Sequence, residues 1–320
     1  MTSARRARRA ARRRRRRIRR AAVVLVLALT AAGAWLHHTR SAGSRTLPVA
    51  AASPAASAID LDAVLAGAVQ DAGGHLAVAV LDTASGAGAA YGTDRFVTAS
   101  IVKVDILAAL LWQTGGELTE QQRSAAALMI ENSDNDATTE LFGEIGEEEG
   151  LDAANAAFGL TATTAGTDGY WGLTTTTAED QLRLLQLVFA EGGGSVLNDA
   201  SRAYLRKLMG LIAADQRWGV SAADDDHAVA LKNGWLPRTA EGAWVVNSIG
   251  RVVHDGRELL VAVLTDGSDT KEEGIALVES VAAGAADSLT SASPEASPAA
   301  SSAAPATAAA APGAPASTQR

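Results

Sequence analysis

Strand-like segments at both ends of a helical middle are the feature that most constrains this fold. Residues 75–92 (HLAVAVLDTASGAGAAYG) predict two strands around a glycine turn, and residues 242–253 and 257–266 predict a second strand pair. The strand pairs must meet in one sheet to bury their apolar faces, so we predict an α+β fold. Its antiparallel sheet is formed by both ends of the domain and flanked by helices, and it carries an inserted all-helical lobe. Apolar residues with helical spacing predict helices at 59–73, 100–113, 119–131, 136–144, 150–158, 177–190, 198–213 and 270–286.

Charge is distributed very unevenly along the chain. Residues 1–20 contain twelve arginines and no acid, which leaves 16 basic and 36 acidic side chains, a net charge of −20, for the rest. Residues 21–36 are uncharged and would span about 24 Å as a helix, the short limit for crossing a bilayer. Arginines before an apolar run are typical of an export signal or an N-terminal anchor. We predict that residues 1–20 are cytoplasmic, that residues 21–36 are a signal peptide or transmembrane anchor, and that the acidic body is extracytoplasmic, either anchored or secreted.

The two remaining ends of the chain have the composition of unstructured segments. Residues 37–57 are polar and alanine-rich with two prolines, which predicts a linker. Residues 288–320 contain five of the eight prolines among Ala, Ser and Thr, and this tail has too little bulky apolar surface to offset its ordering entropy. We therefore predict a disordered tail at 288–320 and one catalytic domain at 58–287.

Composition excludes several classes of function. The chain has no cysteine, so it has no disulfide, thiolate zinc site, cysteine nucleophile or lipid-modified cysteine. Its five histidines are scattered without metal-ligand spacing. The acidic body disfavours nucleic acid as a partner. We expect no metal and no cofactor, a monomer, and membrane contact only through residues 21–36.

The segment TASIVKVDILAALLW at 98–112 offers a candidate nucleophile. Ser100 and Lys103 are three residues apart, which places them on one face of a helix, one turn apart. The surrounding residues are nearly all apolar, so the helix should be buried and the pKa of Lys103 lowered by lost hydration. A neutral amine can accept the proton of a serine hydroxyl, which would activate Ser100. An N-cap serine followed by a surface lysine would give the same spacing.

Two further motifs follow in the chain. Ser133, Asp134 and Asn135 lie at the junction of two predicted helices, where they could also be a capping cluster. The triplet 232–234, Lys-Asn-Gly, comes just before the second strand pair and could also be an ordinary Asn-Gly turn.

Together and in this order, the three motifs resemble S-x-x-K, S-D-N and K-T-G of the penicillin-binding protein and class A β-lactamase superfamily. The resemblance extends over residues 58–287, through segments such as LTEQQRSAAALMIENSDNDATTELF and RWGVSAADDDHAVALKNG. It implies an acyl-enzyme mechanism with Ser100 as the nucleophile and Lys103 as its general base or proton relay. Ser133 would pass a proton to the departing nitrogen.

The resemblance also implies a set of substrate-binding residues. Asn135 would orient Lys103 and the substrate amide, and Lys232 would attract a substrate carboxylate. Asn233 replaces the hydroxyl residue of K-T-G, so its amide would have to bind that carboxylate beside Gly234. The backbone N–H groups of Ser100 and Trp235 would form the oxyanion hole. The aromatic residues Tyr170, Trp171, Trp218 and Trp235 are candidates to line the cleft.

Two departures from the pattern bear on function. Only 29 residues separate Lys103 from Ser133, so we expect the loop that helps to wall the cleft to be shorter than is usual in the family. Class A enzymes activate the deacylating water with a glutamate before the T-T-T segment, whereas residues 159–178 contain no glutamate and one acid, Asp168, a weak candidate for that role.

Three functions stay open on these residues. The chain is predicted to be a β-lactamase-like serine hydrolase acting on β-lactam amides. The first alternative is a D-Ala-D-Ala-type carboxypeptidase or penicillin-binding protein, which would act on a peptidoglycan stem peptide. The second is a penicillin-binding structural module without turnover.

Overall fold

The computed structural model describes residues 61, 65, 75–189, 195–239 and 242–292. Their main sheet has five antiparallel strands in the order β2-β1-β7-β6-β5. The strands are β1 His75–Asp82, β2 Gly88–Tyr91, β5 Ala230–Thr239, β6 Gly242–His254 and β7 Arg257–Ser268. A second sheet pairs β3 Phe96–Val97 with β4 Thr175–Thr176. The first and last parts of the domain therefore share one sheet, which confirms the predicted α+β fold.

The predicted helices between the strand pairs are present with small shifts at their ends. They are α1 Val102–Gln113, α2 Glu120–Glu131, α3 Asn135–Glu144, α4 Glu147–Phe158, α5 Ala178–Phe189 and α6 Asp199–Gly210, followed after the sheet by α7 Lys271–Ala292. Helix α7 continues past the predicted domain boundary at residue 287 because Leu289 is fully buried in the core beside the sheet. The predicted segments 1–20, 21–36 and 37–57 and the rest of the tail lie outside the described residues.

The sheet is the middle layer of the domain, and β7 shows why. Leu260, Ala262 and Leu264 on one face of β7 belong to the core shared with the helical lobe, whereas the alternating Val261 and Val263 belong to the core that includes α7. Successive side chains of a strand point to opposite faces, so β7 needs an apolar layer on each side. This arrangement places the helical lobe on one face of the sheet and α7 on the other.

Helix α1 runs through the interior of the helical lobe. All ten residues from Val102 to Leu111 are buried, including Lys103 and Asp105. A helix that is apolar on every side is stable only when it is enclosed. The sequence therefore brings two ionisable groups into the core along with the apolar ones.

None of the helices within the described ranges combines the length and apolar character needed to cross a bilayer. The predicted anchor, residues 21–36, is not among these residues.

Candidate active site

The candidate nucleophile Ser100 lies in a short 3₁₀ turn, Ala99–Ile101, directly before α1. Ala99 has φ 47°, a left-handed conformation that is unusual for a residue with a side chain. Asn247 of β6 holds the preceding segment by donating to the carbonyls of Val97 (2.8 Å) and Thr98 (3.1 Å). The strained turn is thus fixed to the sheet, and it leaves Ser100 half-buried.

Lys103 is fully buried and directs its ammonium group toward the loop before α3. Its Nζ donates to the Ser133 carbonyl at 2.7 Å, contacts Ser133 Oγ at 3.0 Å and donates to Asn135 Oδ1 at 2.9 Å. Ser100 Oγ makes no hydrogen bond with Lys103 in the structure, although their spacing suggested one. Catalytic hydrogen bonds often shorten only when substrate binds, so the role of Lys103 as the base for Ser100 stays a prediction.

Ser133 connects the two lysines of the site. Lys232 Nζ lies 3.0 Å from Ser133 Oγ, the same distance as Lys103 Nζ, and Lys232 also donates to the Asn233 carbonyl at 3.0 Å. Ser133 has φ 57°, so its backbone adopts the left-handed conformation that directs both its carbonyl and its hydroxyl toward Lys103. One hydroxyl between two amines can donate to one and accept from the other, which is the connectivity that a proton relay requires.

Burial lowers the pKa of both lysines. It lowers the pKa of Lys103 to about 8, against a smaller opposite effect of the nearby Asp134 carboxylate. The pKa of Lys232 is well below its ordinary value, first because of burial and then because of the positive charge of Lys103. At neutral pH the site therefore holds amines that lose a proton far more readily than exposed lysines do.

In the Ser-Asp-Asn motif, the middle residue caps a helix and the outer two contact Lys103. Asp134 is the N-cap of α3, and its carboxylate accepts from the Ala137 N–H at 2.8 Å, so the capping interpretation holds for this residue. The residues on either side of it, Ser133 and Asn135, both contact Lys103.

The Lys-Asn-Gly triplet lies inside strand β5, paired with β6, and the Asn-Gly turn interpretation is wrong. Gly234 passes so close to the nucleophile that a Cβ there would lie 2.6 Å from the Thr98 carbonyl and 2.7 Å from the Ser100 nitrogen. Only glycine permits this approach. The approach brings the edge strand that carries Trp235 against the backbone of Ser100, as the predicted oxyanion hole requires.

Asn233 faces away from Lys232, on the other side of the strand. Its Nδ2 donates to the carbonyls of Gln216 at 2.7 Å and Trp218 at 3.0 Å, and the residue is fully buried. Both amide hydrogens are therefore used within the protein, which corrects the expectation that they bind a substrate carboxylate. Because side chains alternate along β5, the Trp235 ring lies on the same face of the strand as Asn233. The ring packs against Trp218, and its centre is 4.1 Å from Lys271 Nζ.

The loop before α5 places a tryptophan beside Lys103. Asp168 is exposed at φ 56° and forms no hydrogen bond or ion pair with Ser100, Lys103 or Ser133. The Trp171 ring centre, in contrast, lies 5.0 Å from Lys103 Nζ, and Trp171 Nε1 donates to Thr139 Oγ1 at 3.2 Å. The sequence suggested Trp171 as a lining residue but gave no signal that it contacts Lys103.

A second ionisable group in α1 has no part in this cluster. Asp105 is buried, and burial, with smaller contributions from the Asp180 and Asp152 charges, raises its pKa to about 8. The amide oxygen of Asn155 faces the two carboxyl oxygens at 2.9 and 3.1 Å, where it can accept the proton of the neutral acid. Asp105 is therefore largely protonated at neutral pH.

The Asp105→Asn variant should be more stable than the parent protein, and increasingly so as the pH rises. The pKa of Asp105 is raised on folding, so its contribution to stability is complete below about pH 4 and is lost as the pH rises to about 8. Asparagine does not titrate, and each pKa unit corresponds to about 1.4 kcal/mol, so the rise from 3.8 to about 8 predicts a gain of about 5 kcal/mol above pH 8 and little below pH 4. Urea unfolding at the two pH values measures it, with Asp94→Asn at an exposed position as the control. If the difference in unfolding free energy between Asp105→Asn and the parent protein does not change with pH, the raised pKa of Asp105 is contradicted.

A family model and several curated proteins match parts of this chain. The model of the "Beta-lactamase enzyme family" matches residues 114–289, more than half of the chain, a range that contains Ser133 and Lys232 but begins after Ser100. The proteins named "Putative lipoprotein LppW" from Mycobacterium bovis and Mycobacterium tuberculosis are 27% identical over 198 residues, 59% of this chain and 62% of theirs. The chain thus spans about three fifths of the length of these curated relatives.

Solved structures with the same fold include several β-lactamases. A β-lactamase from Xanthomonas campestris pv. campestris superposes with a TM-score of 0.60 at 22% identity, covering 72% of this chain and 97% of that one. A class A β-lactamase representative from Bacteroides cellulosilyticus gives 0.62 at 18% identity, covering 72% and 96%. A variant of the last common ancestor of Gram-negative class A β-lactamases gives 0.58 at 25% identity, covering 70% and 96%.

Proposed function

The chain belongs to the beta-lactamase enzyme family, and from this premise we propose that it is a serine hydrolase that opens β-lactam amides through an acyl-enzyme on Ser100. The observation that carries the proposal is the Ser133 hydroxyl, which lies 3.0 Å from both Lys103 Nζ and Lys232 Nζ. This links a base beside the nucleophile to a proton donor for the leaving group.

Acylation uses these groups in turn. The free amine of Lys103 accepts the hydroxyl proton of Ser100, and Ser100 Oγ attacks the carbonyl carbon of the amide. The N–H groups of Ser100 and Trp235 bind the resulting oxyanion, each stabilising the transition state by about 3 kcal/mol. The proton passes from Lys103 through Ser133 to the amide nitrogen, the C–N bond breaks, and the acyl group stays on Ser100 as an ester. Lys232, fully buried beside Ser133, supports the relay and favours an anionic substrate.

One observation favours the second candidate, a penicillin-binding protein or D-Ala-D-Ala-type carboxypeptidase acting on peptidoglycan stem peptides. Within the described residues, no carboxylate hydrogen-bonds Ser100, Lys103 or Ser133. Hydrolysis of the ester needs a water activated by a base, and acylation without a second base beside the ester gives an adduct that persists. Both candidates share the acylation step.

Incubation of the purified protein with a chromogenic cephalosporin separates the candidates. The colour change reports ring opening, intact mass reports the adduct, and peptide mass mapping locates it. Sustained colour without a lasting adduct would support the β-lactamase, and a stoichiometric burst with a lasting adduct on Ser100 would support the penicillin-binding protein. Neither colour nor adduct would overturn the proposed acyl-enzyme and leave the non-catalytic module.

The proposed location is outside the cytoplasm. Three curated relatives carry the word lipoprotein in their names, but the sequence of this chain contains no cysteine to receive a lipid. Any membrane attachment would therefore rest on residues 21–36, preceded by the twelve arginines of residues 1–20.

A further inference from the structure

Trp171 is fixed in place by the loop that carries it. It begins a short 3₁₀ turn, Trp171–Leu173, and the next residue, Thr174, accepts from the Thr98 N–H at 2.8 Å. Thr174 Oγ1 also accepts from the Gly166 N–H at 3.1 Å, which closes the loop on itself. The loop is thus bonded to the segment that precedes Ser100, and the indole is further held by its hydrogen bond to Thr139 on α3.

The face of the Trp171 indole lies against the amine of Lys103, beside its three hydrogen bonds. All three hydrogen bonds of Lys103 Nζ go to Ser133 and Asn135, in the loop before α3 and at its start. The Trp171 ring approaches from the later loop, with its centre 5.0 Å from the same nitrogen. An indole ring attracts a cation but offers a water molecule no acceptor, and its single N–H is already bonded to Thr139.

We propose that Trp171 excludes water from Lys103 and so prolongs the lifetime of the acyl-enzyme on Ser100. This inference rests on the proposed function. Hydrolysis would require a water to give a proton to the free amine of Lys103 and to attack the ester carbonyl carbon. The tetrahedral intermediate would then release Ser100 Oγ, which takes the proton back from Lys103, and the acyl group would leave as a carboxylic acid. The Trp171 ring, centred 5.0 Å from Lys103 Nζ, takes up space from which such a water would reach the amine.

Trp171→Ala should accelerate deacylation and leave acylation nearly unchanged. We expect the adduct to decay at least about tenfold faster, a modest share of the 10²–10⁴-fold that a positioned general base contributes. Compared at the pH plateau of each protein, where Lys103 is a free amine, the rate of adduct formation should stay within about threefold, because the Lys103 contacts to Ser133 and Asn135 remain. Rapid mixing with a chromogenic cephalosporin gives the acylation rate, and intact mass after removal of excess substrate gives the deacylation rate.

Two variants serve as matched comparisons. Trp171→Phe keeps a ring over Lys103 and should retain the slow decay of the parent protein. Thr139→Val removes the acceptor that orients the indole and should accelerate decay by less than Trp171→Ala does. Because Thr139 is exposed, this variant should fold normally and decides the question if Trp171→Ala does not fold.

The outcomes separate the inference from its premise. Faster decay in Trp171→Ala or Thr139→Val, with acylation preserved, supports the water-excluding role. Adducts that form normally and decay at the parent rate in both variants overturn that role and leave the proposed function intact. Sustained colour without a lasting adduct in the parent protein overturns the role of Trp171 alone, whereas neither colour nor adduct overturns the proposed function and the role of Trp171 with it.

Discussion

Adduct formation on Ser100 is expected to slow by about a thousandfold when Lys103 is replaced with methionine. Methionine matches the length and volume of the buried part of the side chain but cannot accept a proton. In the parent protein, the pKa of Lys103 is about 8, which leaves roughly a tenth of this lysine as free amine at pH 7, far more than an ordinary lysine provides. The acylation rate of the parent protein should therefore rise with pH and level off above about pH 8, and the variant should lack this rise.

Stopped-flow acylation across pH is the measurement, with Lys207→Met as the control because Lys207 is exposed on α6. Lys103→Met also leaves the Ser133 carbonyl and Asn135 Oδ1 without their donor, at a cost of about 1 kcal/mol for each of these partly exposed acceptors. Urea unfolding measures that cost separately, so a loss of fold is not mistaken for a loss of base. If Lys103→Met acylates at the parent rate, Lys103 is not the base for Ser100.

Gly234→Ala is expected to reduce acylation by about a hundredfold or more, the range seen when one oxyanion-hole donor is lost. The new Cβ would lie 2.6, 2.7 and 2.9 Å from the Thr98 oxygen and the nitrogens of Ser100 and Ile101, all backbone atoms that cannot rotate away. Strand β5 must therefore move off the nucleophile turn, and the Trp235 N–H moves with it.

Gly210→Ala is the matched control, because a Cβ at that position on α6 meets no atom within 4 Å. It should leave acylation unchanged. The Gly234→Ala variant should also unfold about 1–3 kcal/mol more easily, as forced overpacking usually does, which a urea melt records. Parent-like acylation in a folded Gly234→Ala variant would show that the approach of β5 to Ser100 is not needed for the reaction.

Much of the fold could be predicted because its signals are local. Short continuous apolar runs mark the strands β1 and β7, and the longer apolar run around Lys103 predicts both the burial of α1 and the lowered pKa of this lysine. The end of α7 was less predictable, since burial of Leu289 depends on what the helix packs against.

The candidate site also contains contacts that the sequence predicts and one contact that it does not. Its motif residues Ser133, Asn135 and Lys232 meet around Lys103 as the resemblance implied. The direction of the Asn233 amide depends instead on which strand pairs with β5, because the pleat sends it toward the 216–218 segment and away from Lys232.

By itself, the sequence determined most of the helices, four of the five strands of the main sheet, the burial of α1 and the residues that are candidates for the chemistry, but it did not identify β5 as a strand. Only the tertiary structure decided that Ser133 lies between two lysines, that Gly234 touches the nucleophile turn, and that Trp171 covers Lys103. The physical reason is that periodicity and burial act between near neighbours in the chain, whereas these contacts join residues some thirty to a hundred and thirty positions apart. Their geometry is set by how loops close and layers pack.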